Sequence, residues 1–173
     1  GRALKMALSS NPSVIWNFPA ELGEGPVWDD QNELLYWLDI KGCQLLTLDT
    51  KSGQKNIIGL STQVSALALK SRGGLIAATK NGFANLDPQT GKLAFIVDPE
   101  EHLSMNRFND GKCDRAGNFL AGTMDELEKQ PLGTLFQLSA GGGVTPLFGG
   151  YTVCNGPAFS PDGRTLYFSN SVA

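Results

Sequence analysis

A repeat of just over forty residues constrains this chain more than any other feature. Four segments share one pattern: a short apolar strand, a polar or glycine-bearing turn, then a second apolar strand. They are Glu24–Ile40 (EGPVWDDQNELLYWLDI), Ser65–Lys80 (SALALKSRGGLIAATK), Asn109–Met124 (NDGKCDRAGNFLAGTM) and Asn155–Asn170 (NGPAFSPDGRTLYFSN). Their starts lie 41, 44 and 46 residues apart. A four-stranded propeller blade repeats every ~40–45 residues. Each turn (DDQN, SRGG, DRAGN, SPDG) carries residues that nucleate a bend or accept positive φ. The remainder of each full repeat reads as two more strands around a turn, as in QLLTLDTKSGQKNIIGL and GFANLDPQTGKLAFIVD. In Asp49–Gly53 and Asp87–Gly91 an Asp opens the turn and a Gly closes it. These lack the further acids of a calcium loop and read as hairpins. Met124–Gln130 is too short, and too close to Pro131, to make a helix. The expected fold is all-β, a β-propeller.

Three full repeats and the first two strands of a fourth make about three and a half blades over residues 1–173. Val14–Trp16 reads as a strand that would complete the last blade of a ring. A propeller that does not close exposes strand edges. The expectation is therefore a single domain forming an incomplete ring, a fragment of a longer protein, with a ring completed by a second chain as the alternative. Self-association through the open edge follows from either. Met6 is a candidate natural start, with Gly1–Lys5 an expression remnant.

Composition narrows the function classes. A net charge of −3 gives no electrostatic case for nucleic acid or an anionic membrane surface. No apolar run approaches the ~20 residues of a membrane helix. Three well-separated cysteines, Cys43, Cys113 and Cys154, argue against a disulfide framework and for a reducing, cytoplasmic setting. One histidine, His102, excludes every two-His metal site. It follows two glutamates in a polar loop, a poor place for a catalytic base.

Glu24, Ser65, Asn109 and Asn155 occupy one repeat position, just before the first strand, and would ring the mouth of the central channel. A carboxylate and two amides offer oxygen donors to a hard cation, Ca²⁺ or Mg²⁺ ahead of Zn²⁺. The alternative is plain turn chemistry at Asn109–Asp110 and Asn155–Gly156. A second set, Asp39, Lys80, Met124 and Asn170, ends the second strands. Between the sets lies Arg107–Lys112 (RFNDGK), polar where a strand core would be apolar, with Arg107 suited to a hydroxylated or carboxylated ligand.

These motifs resemble the gluconolactonase, regucalcin and senescence-marker-protein family. Gly23–Trp28 (GEGPVW) is similar to its opening motif, RFNDGK with Leu120–Met124 (LAGTM) to its internal signature, and Cys154–Ser160 (CNGPAFS) to its later metal-binding segment. The resemblance runs in order from about Ala20 to Ala173. It implies a six-bladed propeller and the hydrolysis of sugar lactones with one divalent metal, calcium first, with zinc, magnesium or manganese as alternatives. It implies metal binding by Glu24 and Asn155, and substrate contacts from Arg107, Asn109 and Glu126. Asn170 stands where the family pattern is taken to hold a third, acidic metal ligand and base. The amide would coordinate with one less negative charge and could accept no proton. On that assignment, Asn170→Asp should tighten metal binding and speed hydrolysis.

The expected function is opening of a sugar lactone by metal-activated water. A calcium- or small-ligand-binding propeller without turnover is the alternative. A WD-type interaction propeller ranks last, because the four repeats share no Gly-His openings and Trp-Asp endings.

Overall fold

The computed structural model describes residues 11–172, and among these it holds fourteen strands and no helix. Blade one comprises β1 (Gly23–Asp29), β2 (Leu34–Asp39), β3 (Gln44–Asp49) and β4 (Lys55–Gly59). Blade two comprises β5 (Val64–Leu69), β6 (Leu75–Thr79), β7 (Gly82–Leu86) and β8 (Leu93–Val97). Blade three comprises β9 (Asn106–Cys113), β10 (Phe119–Asp125), β11 (Gly133–Leu138) and β12 (Val144–Tyr151). The paired strands β13 (Cys154–Phe159) and β14 (Leu166–Asn170) begin a fourth. Every sheet is an antiparallel meander, and β1, β5, β9 and β13 pack side by side as the innermost strands. The expected partial propeller is what forms.

Turn chemistry explains the hairpins. Asp49 Oδ1 accepts from the N–H groups of Lys51 and Ser52, and Asp87 Oδ1 accepts from Gln89 N. Gly53 and Gly91 close these turns at φ +74° and +73°, where a side chain would be strained.

The core lies between blades, where facing sheets cover one another, and blades two and three are each flanked by a described sheet on both faces. Leu38 and Leu45 of blade one meet Val64, Leu67 and Leu75 of blade two. On the next interface Phe83 of blade two packs against Phe108 of blade three, ring centroids 4.5 Å apart, and Phe108 reaches Phe136 at 6.1 Å. Two-sided burial explains why all seven residues of β10 are buried, while the outer strands β4, β8 and β12 are mostly exposed or half-buried. Each fully buried Leu or Phe contributes roughly 1.5–3 kcal/mol. Small residues set the blade spacing: a Cβ on Gly122 would collide with Cys154 of the fourth sheet.

Two expectations change. Val14–Trp16 is not a strand, since no described strand lies alongside to pair with it. Instead Trp16 docks edge-on to Trp37 at 4.9 Å, with Lys55 Nζ 5.6 Å from its ring centroid. The four repeat-start residues also lie within the innermost strands, not before them. Gly1–Lys5 and Met6 fall outside the described residues.

Candidate functional site

The innermost strand of every blade breaks register at or beside the repeat-start residue. The breaks fall between Glu24 and Val27, between Val64 and Ala66, opposite Asn109, and between Asn155 and Ala158. A bulge bends its strand and re-aims the adjoining side chain, a common device beside functional sites. Blades one and four build it from the same dipeptide, Gly25–Pro26 and Gly156–Pro157, with the glycines at φ +63° and +93°. Asn109 is therefore a bulge residue and Asn155 flanks a bulge, and neither sits in a hairpin turn.

Arg107, Asn109 and Asn155 form one directional row. Arg107 Nη1 donates to Asn109 Oδ1 at 3.2 Å and to Phe108 O at 3.0 Å. Asn109 Nδ2 donates across the blade boundary to Asn155 Oδ1 at 3.1 Å and to Cys154 O at 2.8 Å. Asn155 Nδ2 donates to Ser171 Oγ at 2.5 Å. Each amide thus has a defined orientation, and the Asn155 oxygen, with one donor, retains a lone pair. Asp110 adds a second cross-tie, its Oδ2 accepting from Gly156 N at 2.9 Å.

Glu126 follows β10 and meets this row. Its Oε2 takes Lys80 Nζ at 2.8 Å; its Oε1 takes Gln63 Nε2 at 3.4 Å and lies 3.9 Å from Arg107 Nε. The Lys80 hydrogen bond holds the Glu126 carboxyl below its usual range, against an opposing burial cost. Arg107 is buried, and burial pulls its guanidinium down while Glu126 and Glu128 oppose the shift. Sequence reasoning placed Lys80 only in a strand-end set and did not single out Gln63, Asp110 or Ser171. The polar RFNDGK run inside a strand was the available signal for Asp110.

Asn170 is placed differently from expectation. Its Oδ1 accepts from the N–H groups of Thr152 and Val153, both at 3.0 Å. These two bonds occupy the oxygen that metal coordination would need. Asp39 does the same in blade one, accepting from Glu21 N and Leu22 N at 3.0 Å. The second strands end at Asp39, Thr79, Asp125 and Asn170, so Lys80 and Met124 sit one residue off the equivalent position.

Glu24 is exposed, and its side chain makes no hydrogen bond or ion pair among the described residues. Among those residues no three His, Cys, Asp or Glu side chains cluster as a metal site. Glu24 and the open lone pair of Asn155, on matching bulges in blades one and four, are hard oxygen donors of the kind calcium or magnesium takes. Cys154 is fully buried and its thiol is pushed up to about 12 by burial, so it cannot act as a thiolate nucleophile near neutrality. His102 is exposed in a turn.

The SMP-30/Gluconolactonase/LRE-like region profile matches residues 22–173. The chain belongs to this family. It is 36% identical over 156 residues to the 6-deoxy-6-sulfogluconolactonase of Pseudomonas putida, covering 88% of this chain and 53% of that protein. Chicken (Gallus gallus) regucalcin is 33% identical over 158 residues, covering 88% and 52%. The crystal structure of a calcium-binding regucalcin from Agrobacterium tumefaciens superposes with a TM-score of 0.86 at 34% identity, covering 91% of this chain and 53% of that one. This SMP-30/gluconolactonase-family chain spans about half the length of the curated relatives it matches. Among the described residues no helix is long and apolar enough to cross a membrane.

Proposed function

We propose that this region supplies one side of the active site of a metal-dependent sugar-lactone hydrolase with a six-bladed ring. The observation that carries the reading is the Arg107–Asn109–Asn155 row, flanked by Glu126, on bulged strand ends of adjacent blades. Relatives named for sugar-lactone hydrolysis support the reaction class.

Glu24 and Asn155 Oδ1 would hold one divalent cation, calcium first, with zinc, magnesium or manganese as alternatives. When bound, that cation supplies Lewis-acid polarisation of an acyl carbonyl and acidifies water. Arg107 and the amide of Asn109 orient the polyhydroxylated substrate. Glu126, kept ionised by Lys80, accepts from its hydroxyl groups. Water adds to the acyl carbon and the ring C–O bond breaks, which yields an aldonic acid. With Cys154 buried and protonated, a covalent route through that thiol is disfavoured. A cytoplasmic setting fits three free cysteines.

The test uses the natural gene product that carries these residues. Acid release from aldonolactones, corrected for spontaneous opening, should require a divalent cation, and Glu24→Gln should weaken both cation binding and hydrolysis. A second reading, a calcium-binding propeller without turnover, is favoured by the calcium-binding description of the Agrobacterium relative. Calcium retention with no hydrolysis of any aldonolactone would select it and sink the first.

A further inference from the structure

Three groups from two blades converge on the Glu126 carboxylate. Lys80 and Gln63 both belong to blade two, and Lys80 N donates to Gln63 O at 3.0 Å, so the two move as one unit. Their side chains cross to blade three and take opposite oxygens of Glu126, Lys80 Nζ on Oε2 at 2.8 Å and Gln63 Nε2 on Oε1 at 3.4 Å. The third group, Arg107 Nε, lies 3.9 Å from Oε1. The Glu126 side chain keeps 20% of its surface exposed, so the carboxylate remains within reach of a ligand. Gln63 Oε1 is buried with no partner, as is Arg107 Nε apart from the ion pair. A buried polar group left without a partner carries a desolvation cost that its own contacts do not recover.

We propose that Lys80, assisted by Gln63, is a positioning residue: it fixes the orientation and charge of Glu126 and so couples blade two to ligand binding by blade three. This rests on the lactonase reading only for the identity of the ligand. The bidentate arrangement restrains the carboxylate plane, which a single ion pair would leave free to turn. Lys80 is also the cation that most favours the ionised form, with Gln63 and Arg107 adding to it; Glu128 acts on Arg107 from the same loop. Removing Lys80 leaves Arg107, among the described residues, as the one cation in contact with Glu126, at the longer distance. Glu126 should then protonate at a higher pH and lose its role as an acceptor sooner on acidification.

The experiment compares Lys80→Met and Lys80→Arg in the natural gene product. Glu126 titration is followed by ¹³C NMR of labelled glutamate, its signal assigned by Glu126→Gln. In Lys80→Met the Glu126 titration should move to higher pH. KM for an aldonolactone should rise roughly three- to tenfold, with kcat within about twofold. Lys80→Arg should recover most of both. A Glu126 titration that does not move in Lys80→Met overturns the proposal, as does an unchanged KM in an active protein. If the parent protein hydrolyses no aldonolactone, the lactonase reading fails, and the titration alone still decides whether Lys80 governs Glu126.

Discussion

The Asn109 side-chain nitrogen donates to the Asn155 side-chain oxygen at 3.1 Å, and this bond joins the innermost strands of the third and fourth sheets. The same nitrogen also takes the Cys154 carbonyl at 2.8 Å, so one amide carries two cross-blade bonds. Asn109→Asp should be worse than Asn109→Ala, although it is the closer match in shape. An aspartate would set an acceptor against two acceptors, whereas alanine removes the group. Loss of the pair in Asn109→Ala should cost about 1–3 kcal/mol. Urea unfolding midpoints of the two variants check the order, and equal midpoints would refute the assigned amide orientation.

Asn170 should behave as a backbone cap. Asn170→Ala removes the acceptor for Thr152 N and Val153 N and should cost about 1–2 kcal/mol. Asn170→Asp should keep the fold, because Asp39 already performs the same task with an aspartate. Contrary to expectation from the motif alone, it should leave calcium affinity unchanged within about twofold. Calorimetric titration is the measurement, and a clear tightening would restore Asn170 to the metal site.

Acid sensitivity should be traceable to Asp39. Burial raises its carboxyl, but the N–H groups of Leu22, Glu21 and Gly42 outweigh this and hold it below the usual aspartate range. Its stabilisation is therefore present above the unfolded-state value and is lost as pH falls through the folded-state value. Asp39→Asn keeps only one carbonyl oxygen for these donors and should be destabilising at about pH 7, with the gap narrower at about pH 3, below the ordinary aspartate value. Parallel denaturant titrations at the two pH values test this, and a gap that widens on acidification would contradict the sign.

Thiol labelling should separate the cysteines. Cys154 is buried with its thiol pushed up to about 12, while Cys43 and Cys113 are half-buried. In the native protein at about pH 8, iodoacetamide should modify Cys43 first, Cys113 more slowly because burial also pushes its thiol up, and spare Cys154 until denaturant is added. Mass spectrometry of peptides gives the answer. Early modification of Cys154 would reopen a thiolate role.

The sequence by itself determined the blade period, the hairpin turns, the equivalence of Glu24, Ser65, Asn109 and Asn155 as one repeat position, and the family. Each of these depends on local spacing and turn chemistry, which are written along the chain. Only the tertiary structure decided which polar groups meet. The strands and hairpin connections differ in length from blade to blade, so an equal count of residues does not reach the equivalent strand end. That slip is why Lys80 and Met124 lay one residue from the true equivalents, Thr79 and Asp125. The role of Asn170 was hidden for a related reason. A strand-end amide can face a channel or its own backbone with the same sequence, and the choice rests on the N–H groups that packing brings to Thr152 and Val153. The clamp on Glu126 likewise joins Gln63 and Lys80 to a residue 63 and 46 positions away, a contact created when blades two and three close against the Phe83–Phe108 core.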